Sequence, residues 1–356
     1  MSSRFKAMVV LATAAALVTA GCSSKKSTTA APAASSTPAA ASSTPAAAAS
    51  TPAAAASTPA AAASTPASAA PAAKIKVTLL TKATGGFWDA MIAGAKKFAA
   101  DNPDEVELTT NACKTNDDTP CQIAEIQDAV TKGAKALVIS PMGVGVTDAL
   151  LAAQAAGVKI VFVDNTIPGV IPDAVSATDN VKGGLAAGAY IKTQLKAGDT
   201  IGLLEAVRGV PNLDERIDGV KSALAGTGVK VVIGAQQTTC DPKIGATVTE
   251  DLLTKYPNLT AIYSACDSPA EGAVAVVEAK NHPLKIFGYD GDPEMAKLIV
   301  AGKTTATMAQ SPFKMTNLGI LAAVNNILGK PYVKIIDTGV TLWTKDNAGN
   351  FTTAWQ

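Results

Sequence analysis

The stretch Ala156-Gly157-Val158-Lys159-Ile160-Val161-Phe162-Val163-Asp164 decides the fold. Gly157 stops a helix predicted over Val146–Ala156, because glycine takes the left-handed conformation past a helix end without a side-chain clash. Lys159–Val163 then reads as a strand that is apolar at consecutive positions, and the chain turns polar at Asp164. A short strand of that kind between amphipathic helices belongs to a parallel sheet covered on both faces.

The same rhythm extends in both directions. Upstream, the predicted strands are Ile75–Leu80, Val106–Thr109 and Ala136–Ile139, the last ending in Ser140-Pro141. Between them, Phe87–Ala100 has helical spacing (Phe87, Met91, Ala95, Phe98), and Ile123–Val130 carries a second helical face. The alternation restarts after Asp179, with helices over Gly184–Leu195, Leu213–Ala225, Ile244–Lys255, Ala270–Ala279 and Pro293–Ala301. The strands of this part are Thr200–Glu205, Lys230–Ala235, Ala261–Ser264 and Lys285–Tyr289. Two successive series of this kind predict an α/β protein of two similar Rossmann-like lobes, each a parallel sheet flanked by helices.

The N-terminal part has a different composition. Arg4 and Lys6 precede an uncharged apolar run, Ala7–Ala20, and small residues lead to Cys22. This arrangement is a secretory signal, too short to span a bilayer comfortably. Cys22 directly after Ala20-Gly21 resembles a bacterial lipobox, which implies a signal peptide over residues 1–21 and acylation of Cys22. Acyl chains hold a folded domain at a membrane surface through their buried methylenes. Residues 22–73 form an Ala/Ser/Thr/Pro tether in which Pro38, Pro45, Pro52, Pro59 and Pro66 recur every seven residues. A proline in each unit rules out a coiled coil, and the tether is expected to be disordered, reaching roughly 150 Å when extended.

Other classes are excluded by composition and motif. A net charge of +1 gives no support for nucleic-acid binding. The chain has no GxSxG, HExxH or Walker A motif, and its single histidine, His282, stands beside Pro283. A metal site is not expected, since no CxxC spacing exists, and neither is a cofactor. Cys113, Cys121, Cys240 and Cys266 in an exported domain suggest two disulfides. Three pairings are possible; Cys113–Cys121 with Cys240–Cys266 is the most economical.

In open parallel sheets ligands sit beyond the carboxyl ends of the strands. The polar residues there are Thr81-Lys82, Asp164-Asn165, Asp267 and Asp290. Such groups suit hydroxyl-rich ligands, because each hydroxyl both donates and accepts. Phe87 and Trp88, at a helix start, offer aromatic planes to the apolar faces of a sugar ring. Any one of these residues alone reads as a turn, a cap or core.

Seven further segments complete a pattern. They are Leu80–Trp88, Gly133–Pro141, Ala156–Asp164, Ala177–Asn180, Arg216–Gly219, Gly288–Gly291 and Thr305–Gln310. In this order they resemble the ribose- and fructose-type periplasmic binding proteins, which share a fold with the ligand domains of LacI-type repressors. The resemblance covers about Lys74 to Val333. It implies a three-crossover hinge near Thr178, Gln310 and Asp337. The first lobe is then 74–178 with 311–337, and the second 179–310 with 338–356. It implies ring stacking by Phe87 and Trp88, acceptors at Asp164 and Asp290, a bidentate donor at Arg216, and Gln310 at a crossover. Asn165 stands where the ribose-type proteins place an arginine, and Cys240 and Cys266 replace an aromatic and an asparagine. The implied function is that of a non-enzymatic, monomeric lipoprotein on the outer face of the cytoplasmic membrane, passing a monosaccharide to an ABC transporter permease. A polyol- or cyclitol-binding protein of the same type and a sugar-sensing subunit for a membrane receptor are the alternatives.

Overall fold

The structure is a computed structural model of the chain. It describes residues 73–205, 208–236, 240–351 and 355. The expected signal peptide, the expected lipidation site Cys22 and nearly all of the expected tether lie outside these residues.

Twelve strands form two sheets. The first contains β1 (Ile75–Thr81), β2 (Val106–Ala112), β3 (Ala136–Ile139), β4 (Lys159–Val163), β5 (Ala174–Ala177) and β11 (Ile335–Asp337), in the order β11-β5-β4-β3-β1-β2. The second contains β6 (Thr200–Leu204), β7 (Lys230–Ile233), β8 (Ala261–Ser264), β9 (Lys285–Asp290), β10 (Ala306–Ala309) and β12 (Thr341–Trp343), in the order β12-β10-β9-β8-β6-β7. The first five strands of each series have the same spatial order. All pairings are parallel except β10 with β12, where a short edge strand runs antiparallel. The α/β reading and its two helix-flanked sheets therefore hold.

The helices are α1 (Gly86–Asp101), α2 (Thr119–Thr131), α3 (Thr147–Ala155), α4 (Asn180–Gln194) and α5 (Pro211–Leu224). After these come α6 (Pro242–Lys255), α7 (Asp267–Lys280), α8 (Pro293–Val300) and α9 (Pro312–Ile327). Consecutive apolar residues serve both faces of each sheet. In β4, Val161 and Val163 pack with α1 and α9, whereas Ile160 and Phe162 pack on the α2–α3 side. The second sheet repeats this, with Ile262 and Ile286 on the α6–α8 side and Tyr263, Phe287 and Tyr289 toward α4 and α5.

Most helices begin earlier than their apolar spacing predicts. Asp179, Asp241 and Asp292 accept hydrogen bonds from the first exposed backbone N–H groups, and Pro211, Pro242, Pro293 and Pro312 open their helices. Strands β5, β11 and β12 are too short to carry a period, and pairing with β4, β5 and β10 respectively holds them in place. Helix α9 is absent from the predicted helices, although its buried residues Met315, Thr316, Gly319, Ile320, Ala323 and Val324 have helical spacing. It lies against α1 so closely that a Cβ on Gly94 would meet the Phe313 carbonyl at 2.1 Å, and Thr316 Oγ1 donates to the Met91 carbonyl at 2.6 Å.

Cys113–Cys121 and Cys240–Cys266 are the two disulfides, which is the economical pairing. No helix among the described residues is long and apolar enough to cross a membrane.

Candidate functional site

The carboxyl ends of β1, β4, β8 and β9 bring the polar residues into two groups, one per sheet. In the first, Asp164 follows β4 and is buried. Its backbone has φ 70°, in the left-handed region that aspartate and asparagine enter more readily than other non-glycine residues. Lys82 Nζ lies 3.4 Å from Asp164 Oδ2 and 5.5 Å from the centre of the Trp88 ring. Ser140 Oγ lies 3.0 Å from Asp164 Oδ2 and 2.9 Å from Asn165 Oδ1, so its single proton serves one of the two. Asn165 Nδ2 donates to the Pro141 carbonyl at 3.0 Å. The Asn165 amide thus braces the β3 and β4 ends against each other.

Phe87 and Trp88 open helix α1 after Gly85 and Gly86, both at positive φ. Their rings meet edge to face, with centroids 5.2 Å apart. Both side chains are half-buried and pack against the first lobe's core.

The second group centres on Arg216, whose guanidinium is fully buried. Its Nε donates to Asn180 Oδ1 at 2.8 Å, and Nη1 donates to the Ala265 carbonyl and to Asp290 Oδ1, each at 2.9 Å. The guanidinium also lies 4.0 Å from the centre of the Tyr289 ring, where the ring quadrupole favours a cation. Burial opposes the Arg216 charge, but Asp290, Tyr289 and Asp164 outweigh it and the guanidinium is held protonated.

Asp290 also has an unusual backbone, φ 133°. Gln310 Nε2 donates to its Oδ1 at 2.7 Å, and the Gln310 backbone N–H donates to its carbonyl at 2.8 Å. Burial pushes the Asp290 carboxyl up to about 6; Arg216 and Gln310 pull it down, and Asp164 adds repulsion. Asp164 therefore acts on both Asp290 and Arg216. Of the three described non-glycine residues at positive φ, two are these strand-end aspartates.

Asp267, also at a strand end, is turned into its own lobe. Its Oδ1 accepts from Thr307 Oγ1 at 2.7 Å, and Oδ2 accepts from the Gly291 and Asp292 backbone N–H groups at 2.8 Å. A Cβ on Gly288 would stand 2.0 Å from Asp267 Oδ1, so only glycine admits that carboxylate. Asp267 holds the β9–α8 turn in which Asp290 sits.

Several residues of the site are absent from the sequence-based set. Asn180, at the start of α4, orients Arg216. Ser140 links Asp164 and Asn165. Glu205, buried at the end of β6, accepts from Arg208 Nη2 and Lys221 Nζ, both at 2.7 Å, and Arg208 grips Asp218 with two further bonds. Ser140 and Glu205 stand directly after strands, so the strand-end rule reaches them. Asn180 lies in the Ala177–Asn180 segment of the resemblance, which assigns it no role.

A hollow of about 400 Å³, lined in part by Tyr190, Thr304, Thr305 and Asp346, lies by the amino end of β10 and contains none of these groups. No group of three or more histidine, cysteine, aspartate or glutamate side chains is placed to hold a metal among the described residues.

The arrangement combines carboxylates, amides, cations and aromatic planes, the groups that bind a hydroxyl-rich molecule. Comparison with known proteins agrees. The D-ribose/D-allose-binding protein of Pseudomonas aeruginosa is 30% identical over 267 residues, 72% of this chain and 83% of that protein. A ribose import binding protein of Bacillus subtilis is 31% identical, over 64% of this chain and 74% of its own length. Among solved structures, an ABC transporter solute-binding protein of Burkholderia graminis in complex with D-arabinose is 27% identical. It superimposes with a TM-score of 0.71 over 78% of this chain and 98% of that one. The family model for the periplasmic binding protein domain matches residues 75–331, and the chain belongs to that family of solute-binding proteins.

Proposed function

We propose that this chain is the substrate-binding lipoprotein of an ABC transporter, which captures a monosaccharide between its two lobes and delivers it to the permease. The observation that carries the reading is the pair of strand-end carboxylates at positive φ, Asp164 in one lobe and Asp290 in the other, each beside a cation. Charge-assisted hydrogen bonds from sugar hydroxyls to such carboxylates are stronger than neutral ones. Lys82, Phe87, Trp88 and Asp164 form the first lobe's contribution, and Arg216, Asp290 and Gln310 the second's; Asn165 and Asp267 hold them in place. The names of the relatives support ribose- or allose-like sugars.

The lobes are 74–178 with 311–337 and 179–310 with 338–356. The chain passes between the sheets after β5, after β10 and after β11. At this hinge Asp337 Oδ1 accepts from the Asp179 N–H at 3.1 Å, and Lys182 Nζ lies 2.7 Å from Asp179 and 3.4 Å from Asp337. A ligand that bridges the lobes binds the closed form better and raises its population, and the closed form is what a permease recognises. Cys22 anchors the monomeric domain to the outer face of the cytoplasmic membrane, and the tether gives it reach.

A thermal-shift screen of the full chain with D-ribose, D-allose, D-arabinose, polyols and cyclitols tests the reading. Stabilisation by a monosaccharide supports it. Stabilisation by polyols or cyclitols alone would reassign the ligand, and none by any compound would reject a sugar-type ligand.

A further inference from the structure

We propose that Trp355 is a positioning residue of the interlobe cleft: a latch rooted in the second lobe whose indole lies on Phe87 of the first. The inference rests on the sugar-cleft reading above and deepens it.

The root is firmly built. Trp343 is fully buried in β12, at the edge of the second sheet. The short helical turn Ala348–Phe351 covers it, with the Phe351 ring stacked on Trp343 at 4.3 Å and parallel to within 1°. Ala348 is fully buried beside the same core. Phe351 therefore belongs to the second lobe.

Trp355, four positions later, touches the other lobe. Its ring centroid lies 5.5 Å from that of Phe87, at an interplanar angle of 86°. A Cβ on Gly86 would stand 3.9 Å from two atoms of the indole, an ordinary contact distance. The indole thus lies beside Gly86 and Phe87 at the start of α1. Phe87 meets Trp88 edge to face, Trp88 lies under Lys82, and Lys82 reaches Asp164. A chain of ring and charge contacts runs from Trp355 to the acceptor of the first lobe.

Geometry gives this contact its consequence. Four residues span at most about 14 Å when fully extended. With Phe351 fixed on Trp343, Trp355 can follow Phe87 only within that reach, so opening of the cleft beyond it breaks the ring contact. The contact exists only when the lobes are near each other and favours the closed form. An edge-to-face aromatic pair shifts such an equilibrium by roughly two- to ten-fold.

The test has two arms on the full chain. The three tryptophans, Trp88, Trp343 and Trp355, are labelled with 5-fluorotryptophan, and Trp355→Phe assigns the Trp355 fluorine resonance. Phe87→Leu is expected to move that resonance, because the ring current of Phe87 is lost; an unmoved resonance overturns the proposal. Calorimetry with D-ribose and D-allose forms the second arm. Trp355→Ala is expected to weaken binding roughly two- to ten-fold through faster release, with Trp355→Phe within about two-fold of the parent. Equal affinity for Trp355→Ala and the parent overturns the proposal. A parent that binds neither sugar counts against the sugar reading, and the fluorine arm then decides the contact alone.

Discussion

Arg216 and Asp290 form an ion pair at 2.9 Å in which the guanidinium is 2% exposed and the carboxylate 22%. The same guanidinium satisfies Asn180 and the Ala265 carbonyl. One planar cation therefore joins α4, the end of β8 and the end of β9. A lysine has a single ammonium and cannot reproduce the planar fork. Arg216→Lys is expected to leave one of the buried partners unpaired and to lower stability by about 1–3 kcal/mol. Urea unfolding checks the first effect. Calorimetry checks the second, a loss of at least about ten-fold in sugar affinity as Asp290 loses its orientation.

Asp290 itself predicts a pH dependence of binding. Its carboxyl titrates at about 6, raised by burial and restrained by Arg216 and Gln310. Below that pH it becomes neutral and accepts more weakly. Affinity for sugar is expected to fall as pH drops from 7 to 5. Asp290→Asn should bind weakly throughout and show no such slope; a parent affinity flat across this range would contradict the assignment.

Glu271 predicts a separate pH dependence, of stability. It stands on α7 near Asp292 and Glu294, and its buried Oε1 has no hydrogen-bond partner among the described residues. Burial first, and then the two carboxylates, push it up to about 7 from an ordinary 4.5. Between those values the folded chain binds a proton that the unfolded chain does not. Stability from this group is fully present below pH 4.5 and is lost as pH rises through 7. The melting temperature is expected to fall between pH 5 and about 7, and Glu271→Gln should flatten that slope. Differential scanning calorimetry over the range reads both.

The sheets were legible because consecutive apolar residues, as in Lys159–Val163, have no other economical use in a chain of this length. The rule that places ligands at strand carboxyl ends also singles out Asp164 and Asp290. That rule is silent on direction. Asp267 obeys it yet faces Thr307 and the β9–α8 turn, because Gly288 leaves room for the carboxylate inside the lobe. Ser140 and Glu205 obey it as well, but their partners are brought to them only by the fold, Asp164 through the pairing of β3 with β4 and Lys221 from helix α5. The contacts of Asn180 and Trp355 could not be read from the sequence. The first meets Arg216 across 36 residues, and the second meets Phe87 from the far end of the chain.

The α4–α5 contact that brings Asn180 to Arg216 depends on two glycines. A Cβ on Gly219 would lie 2.6 Å from the backbone of Gly184 and Leu185, and one on Gly184 would lie 2.6 Å from the Arg216 carbonyl. Neither glycine is at positive φ, so the requirement is space alone. Gly219→Ala is expected to push the helices apart, cost about 1–3 kcal/mol as overpacking, and weaken sugar binding. Gly226→Ala makes an unsuitable control, since that residue has φ 73°. Ala225→Ser, on the helix end, is a better one. Parent-like melting of Gly219→Ala would show that α5 can shift without loss.

The Cys240–Cys266 bridge ties the segment before α6 to the residue between Ala265 and Asp267. Ala265 accepts from Arg216, and Asp267 holds the turn next to Asp290. Cys266 is buried, and Cys240 is exposed. Closing a loop of 26 residues restricts the unfolded chain, which corresponds to roughly 3–4 kcal/mol in the chain-entropy model. Paired Cys240→Ser and Cys266→Ser substitutions are expected to lose much of that stability in urea. They also free the end of β8, so the orientation of Arg216 should loosen and sugar affinity should fall. Cys113→Ser with Cys121→Ser provides the contrast. That bridge closes a loop of only 8 residues in the first lobe, ahead of α2. Its loss is expected to lower stability by less and to spare the Arg216–Asp290 pair. Equal losses of affinity in the two double variants would mean that general loosening, rather than support of Arg216, explains the effect.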